Sequence, residues 1–196
     1  MRKSKITRNT KETQITLSLS VLDSRDSGKL SGSCGVGFMD HMLSALCVHG
    51  HMDIDLQMKG DLNVDDHHSI EDLGIVLGTA FSEALGDKGA INRYGCAYVP
   101  MDESLSRCVV DISGRPYLVF KADFEYQFIG GLECAMIREF FYAFAVKSGI
   151  TLHLENLYGE NDHHKAESLF KAFARALCEA SAQRDGEILS TKGKID

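Results

Sequence analysis

The sequence predicts an α+β fold made by internal duplication, with helices packed on one face of mainly antiparallel sheets. Two observations carry that expectation. The stretch Asp66-His67-His68-Ser69-Ile70-Glu71-Asp72 returns as Asp162-His163-His164-Lys165-Ala166-Glu167-Ser168, an ungapped offset of 96 positions that also matches Leu73 with Leu169, Ala80 with Ala176, Glu83 with Glu179 and Ala84 with Ala180. Period-two and helical stretches also follow in the same order in both halves. One compact protein with a first repeat over 1–88 and a second over 89–196 is the expected organisation.

Ile15, Leu17, Leu19 and Val21 alternate with polar residues between Thr13 and Leu22, the mark of a strand with one buried face. Asp23 to Lys29 supplies a turn, and a short strand covers Lys29 to Cys34 before Gly35 and Gly37 break it. Phe38, His41, Met42, Ala45 and His49 recur at spacings of three and four, which predicts a helix with two histidines on or near its apolar stripe. Met52, Ile54, Leu56 and Met58 form the next strand, and a helix carrying His67 runs on to Gly86. In the second half, strands are expected at Ser106 to Ser113, Pro116 to Lys121 and Thr151 to Leu157. Gly130-Gly131 opens a helix with Ile137, Phe140, Phe141, Phe144 and Ala145 on one stripe, and the last helix covers Asp162 to about Ala182.

At about 100° per residue, adjacent histidines leave a helix on divergent bearings, while the glutamate four residues after the first falls between them. Two such imidazoles do not easily share one ion. Each HHxxE therefore serves two metals, or one metal and a substrate group. Imidazole and carboxylate together suit Mn²⁺, Zn²⁺ or Fe²⁺.

A formal net charge of −7 and the lack of a Lys/Arg block beyond the first eleven residues argue against a nucleic-acid surface. Six cysteines, at 34, 47, 96, 108, 134 and 178, show no CxxC spacing, so reduced and mostly buried thiols in the cytoplasm are expected. The opening MRKSKITRNTKET leads into alternation rather than an apolar core, so no secretory signal is read there. No run approaches eighteen apolar residues, and no membrane span is expected.

The segments KET (Lys11 to Thr13), FMDHML (Phe38 to Leu43), DDHHSIED (Asp65 to Asp72), INRYG (Ile91 to Gly95), SGRPYL (Ser113 to Leu118) and NDHHKAESLFKAFARAL (Asn161 to Leu177) together resemble the imidazoleglycerol-phosphate dehydratase family of histidine biosynthesis. The resemblance spans essentially the whole chain. It implies a duplicated unit similar to the second domain of ribosomal protein S5, two Mn²⁺ per active site, and a 24-subunit shell with sites between subunits. It assigns the metal ligands to His41, His67, His68, Glu71, His163, His164 and Glu167, with Glu139 standing where many members carry histidine. Aligning Phe140-Phe141 with Met42-Leu43 sets Glu139 opposite His41, and a carboxylate oxygen there is expected to bind Mn²⁺; a surface pairing with Arg138 or Lys147 is the alternative. A second departure is Ser44-Ala45, where the family usually shows Asp-Gln.

The implied reaction converts imidazole glycerol phosphate to imidazole acetol phosphate plus water. No carbonyl acidifies the C–H bond that breaks, so Lewis-acidic ions on the ring nitrogens would favour an imidazolate that expels the hydroxyl through a diazafulvene-like intermediate. The resemblance places Glu12 as first candidate acid/base, with Glu71 and Glu167 as further catalytic carboxylates. It nominates Arg93, Arg115, Lys171 and the tail Ser190-Thr191-Lys192 for the phosphate, and His41, His49, His67 and His163 among the groups that face substrate. A dinuclear metallohydrolase and a non-catalytic shell assembled by metal are the competing readings.

Overall fold

The computed structural model describes residues 2–22, 26–89, 91–186 and 188–195. Of the turn expected at Asp23 to Lys29, positions 23–25 lie outside them. The first half comprises strands β1 (Arg2–Asn9), β2 (Thr13–Val21) and β3 (Leu30–Ser33), helix α1 (Gly37–Gly50), strand β4 (Met52–Gly60) and helix α2 (His67–Leu85). The second comprises strands β5 (Tyr94–Met101), β6 (Ser104–Asp111) and β7 (Tyr117–Lys121), a small hairpin of β8 (Phe128–Ile129) and β9 (Leu132–Glu133), helix α3 (Cys134–Ser148), strand β10 (Thr151–Tyr158) and helix α4 (Asp162–Ser181).

The two four-stranded sheets have matching orders, β1-β2-β4-β3 and β5-β6-β10-β7. In each, the last strand runs parallel to its neighbour and the other pairs are antiparallel. That shared topology is the physical counterpart of the repeated sequence. On β2 the residues Ile15, Leu17, Leu19 and Val21 all face inward, as their alternation requires.

The helices pack on the inner faces of the sheets, α2 on β1 and β2, and α4 on β5 and β6. Helix α2 also crosses α3, and α1 crosses α4. Gly74 and Gly78 allow the first crossing to be close: a Cβ on either would stand 2.6 Å from a backbone oxygen, of Phe140 and Phe144 respectively. Between α3 and α4 lies an aromatic cluster in which the Phe141 ring sits 4.7 Å from Phe170 and 5.1 Å from Phe173. Among the described residues, no helix is long and apolar enough to cross a membrane.

Several elements differ from expectation. Strand β1 carries no apolar alternation, since its inward positions are Arg2, Ser4, Ile6 and Arg8, only one of them apolar. Polar partners on α2 replace apolar packing: Ser4 Oγ donates to the Ala80 carbonyl at 2.7 Å, and Arg8 pairs with Asp72 at 2.9 Å. Strand β5 was hidden by Gly95 and Pro100. Gly130, at φ 59°, turns the β8–β9 hairpin, so α3 starts at Cys134 rather than at the glycines. On α1 the buried stripe is Met39, Met42, Leu43, Leu46 and Gly50 with Ala45 and Cys47, which leaves His41 exposed rather than on the apolar face.

Buried Asp72 joins β1, β2 and α2, since its Oδ1 takes Arg8 and its Oδ2 accepts from Thr13 Oγ1 at 2.5 Å. Thr13→Val removes that donor and is expected to cost about 2 kcal/mol, read as a lower urea midpoint with an unchanged slope.

Candidate metal centre

Both histidine pairs sit on the first turn of a helix, and the preceding residue types explain why. Asp65 Oδ1 accepts the His67 backbone N–H at 2.9 Å, and at the equivalent position Asn161 Oδ1 accepts those of His163 at 2.9 Å and His164 at 3.3 Å. Buried Asp66 and Asp162 anchor the same turns by accepting from Glu133 N and Tyr126 N, each at 2.8 Å. In each pair the two rings lie 6.1 Å apart at 80°. The first histidine turns to its glutamate and the second turns away, as helical pitch dictates.

The tightest group forms where α1 crosses α4. His41 Nε2 lies 3.5 Å, and His163 Nε2 3.2 Å, from the same oxygen, Glu167 Oε2. One ligand atom from each of the three lies within 4.8 Å of the others, spacing that one ion could bridge. The second Glu167 oxygen, Oε1, is taken by Lys171 Nζ at 2.6 Å. Burial pushes the Glu167 carboxyl upward, but Lys171 and His41 outweigh it and hold the group below the usual glutamate range. An anionic oxygen is thus aimed at two imidazole nitrogens. The Phe38 ring, 5.0 Å from His163, covers one side.

In the first half, His67 Nε2 stands 3.8 Å from Glu71 Oε2, a looser version of the same pairing. His68 places Nδ1 3.0 Å from Asp61 and Nε2 3.7 Å from Glu12 Oε1. Glu12 is half exposed and borders an open cleft of about 250 Å³ with Asp61. His164 places Nδ1 2.7 Å from Glu103 and Nε2 3.6 Å from Asp102. Backbone donors from Asn161 and Glu160, with His164, pull the Glu103 carboxyl down to about 2.

Glu139 pairs with its neighbour Arg138 at 2.8 Å, the alternative that the sequence left open, and it does not join His41, His163 and Glu167. Ser44 Oγ donates back to the Asp40 carbonyl at 2.8 Å, a bond within the helix. Of the nominated substrate and phosphate groups, Lys171 and His49 lie by the α1–α4 site. Burial lowers the His49 pKa, and the Lys171 and Arg175 charges add to that effect.

Arg93 and Arg115 are elsewhere. Both pair with Asp111, at 2.7 and 3.9 Å, and Arg93 also donates to the Leu189 carbonyl, which brings the segment with Ser190, Thr191 and Lys192 to the same end. Arg93 N bonds the Ala180 carbonyl at 2.9 Å, thirteen residues past Glu167 on α4. That separation is about 20 Å of backbone along the helix axis. Sequence reading missed Asp61 and Glu103 as histidine partners. The signal for Glu103 was its place directly before β6, as Glu12 stands before β2.

Fold and site together define a class: a duplicated α+β protein with a histidine-carboxylate cluster able to hold a divalent cation. The sequence profile of the family described as imidazoleglycerol-phosphate dehydratase matches residues 34–177. Relatives bearing that name include a protein of Clostridioides difficile, 54% identical with all of both chains covered, and one of Methylorubrum extorquens, 50% identical with all of both chains covered. A crystal structure of the dehydratase from Staphylococcus aureus superposes with a TM-score of 0.82 at 38% identity, over 92% of this chain and 99% of that one. The chain belongs to the imidazoleglycerol-phosphate dehydratase family.

Proposed function

We propose that this chain dehydrates imidazole glycerol phosphate to imidazole acetol phosphate in histidine biosynthesis, with two Mn²⁺ per active site, in a cytoplasmic 24-subunit shell. The observation that carries the reading is Glu167 Oε2 set between two imidazole Nε2 atoms in a chain of this family. The donor set, two imidazole nitrogens and an anionic carboxylate oxygen, is one that a divalent ion such as Mn²⁺ accepts, the carboxylate suiting its hardness. Such ions, when bound, supply Lewis acidity to an imidazole substrate. His41, His163 and Glu167 would hold one ion and His67 and Glu71 the other, and His68, His164 and Glu139 would complete the sets between subunits.

Every other step falls to the protein's own groups. Lys171 keeps Glu167 anionic and meets the substrate's phosphate end. Glu12, half exposed at the cleft mouth, transfers the hydroxyl and carbon protons. The separation of about 20 Å along α4 between Glu167 and the backbone that holds Arg93 supports sharing, because one subunit's arginines and Ser190-Thr191-Lys192 tail can serve a neighbour's metal centre. Neither a metallohydrolase nor a non-catalytic shell is favoured, since the full-length relatives are dehydratases.

The test is to chelate the purified protein, restore Mn²⁺, and follow imidazole acetol phosphate formation together with particle size. Recovery of both supports the reading; assembly without turnover counts against it. Glu12→Gln is expected to lower kcat by roughly 10²- to 10⁴-fold while Mn²⁺ binding stays at the wild-type level. Full turnover would remove Glu12 from proton transfer.

A further inference from the structure

The second histidine of each pair has a carboxylate on Nδ1: Asp61 Oδ2 for His68 at 3.0 Å and Glu103 Oε2 for His164 at 2.7 Å. A carboxylate can only accept, so each Nδ1 carries a proton and Nε2 is the nitrogen left to an ion; there it faces Glu12 at 3.7 Å in His68 and Asp102 at 3.6 Å in His164. The Glu103 contact is also fixed at its other oxygen. Oε1 accepts the backbone N–H groups of Glu160 at 3.0 Å and Asn161 at 2.8 Å, and Asn161 in turn caps the first turn of α4. Loop, cap and imidazole are thereby set by one side chain.

Glu103 is the duplicated counterpart of Glu12. Each directly precedes an equivalent strand, and the next residues, Thr13 and Ser104, bond Asp72 and Ser168, which stand 96 positions apart. Yet the two carboxylates differ. Glu12 is 53% exposed and reaches the Nε2 side of His68 at 3.7 Å, whereas Glu103 is locked on the Nδ1 side of His164. The same position of the repeat is exposed in one half and fastened in the other.

We infer that Glu103 is a positioning residue that fixes His164 as the Nε2-ligating tautomer, with Asp61 performing that task for His68. The inference rests on the metal-centre reading above and deepens it. A partner on the non-ligating nitrogen fixes both ring orientation and basicity, so its loss is felt in metal affinity. Glu103→Gln is the sharp test because it is isosteric. The two backbone N–H groups claim the amide oxygen, which turns the amide NH₂ onto Nδ1 and drives the proton to Nε2, where it blocks the ion.

The experiment titrates Mn²⁺ into metal-free wild-type, Glu103→Gln and Asp61→Asn proteins, reading free Mn²⁺ by electron paramagnetic resonance. The metal-free thermal midpoint of each is recorded alongside. Each variant is expected to lose roughly 10- to 100-fold in affinity for one class of site, with the other class unchanged. Turnover recovers at raised Mn²⁺, and the metal-free midpoint stays at the wild-type value. Wild-type affinity in Glu103→Gln overturns the assignment. So does an affinity loss that comes with an equal loss of metal-free stability, which marks a merely structural bond. Failure of the wild-type chain to bind Mn²⁺ is a different result: it sinks the metal-centre reading itself and this inference with it.

Discussion

Glu167→Gln is expected to lower kcat/KM by roughly 10³-fold or more, equivalent to about 4 kcal/mol of transition-state stabilisation. Two effects combine at that residue. The carboxylate divides its oxygens between Lys171 on one side and His41 with His163 on the other. An amide has one acceptor and one donor group. If its oxygen faces Lys171, its NH₂ points at the two imidazoles and at any cation between them; if reversed, it points at the ammonium. Both orientations set a donor against a positive or donating group. Lys171, with 18% of its side chain exposed, also loses its counter-charge. Steady-state kinetics over a range of Mn²⁺, with metal content measured on the same samples, check this result. Near wild-type kcat/KM at ordinary Mn²⁺ would show that the cluster is not the catalytic centre.

How much of this was legible in the sequence follows from which interactions are local. The HHxxE turns were readable because the histidine-glutamate relation is fixed by helical pitch and holds in both halves. The strands with apolar inward faces were readable for a similar reason. Arg2 to Asn9 was not, since its inward residues meet polar groups on α2 that lie more than sixty positions away. Whether His41 faced the core or the crossing with α4 depended on a rotation of α1 that Phe38, His41 and Ala45 alone did not settle. The separation of Arg93 from Glu167 was likewise invisible. Both belong to one family pattern, and only the register of β5 against the far end of α4 places the Arg93 backbone at the other end of that helix from Glu167.

Duplication explains why the halves are similar without being interchangeable. Asp72 and Ser168 occupy matching places on α2 and α4, but the first pairs with Thr13 and Arg8, and the second sits in a neutral hydroxyl cluster with Ser104 and Ser106. The buried charge on one side has been replaced by hydroxyls on the other. The carboxylates beside the second histidines differ in the same manner, with Glu103 fastened by two backbone N–H groups and Glu12 exposed.

Gly95→Ala is expected to destabilise the chain by about 3 kcal/mol, which lowers the thermal midpoint by roughly 6–12 °C for a chain of this size. The strand β5 lies so close to α4 that a Cβ at Gly95 would stand 2.0 Å from the Ala176 carbonyl oxygen and 2.8 Å from Ala180 N. Both are backbone atoms of a buried helix and cannot rotate aside. The strand must therefore move outward. That movement stretches the bonds from Arg93 N to the Ala180 carbonyl and from Cys96 N to Glu179 Oε2, now 2.9 and 2.8 Å. Arg93 also loses its setting against Asp111, so KM for the phosphorylated substrate should rise. Mn²⁺ affinity at His41, His163 and Glu167 should not change, because that cluster is about 20 Å away along α4. Calorimetry on the metal-free protein and substrate titration separate the two effects. An unchanged midpoint would mean that β5 can leave α4 at no cost, and the close approach would then have no part in holding the arginine end of the site.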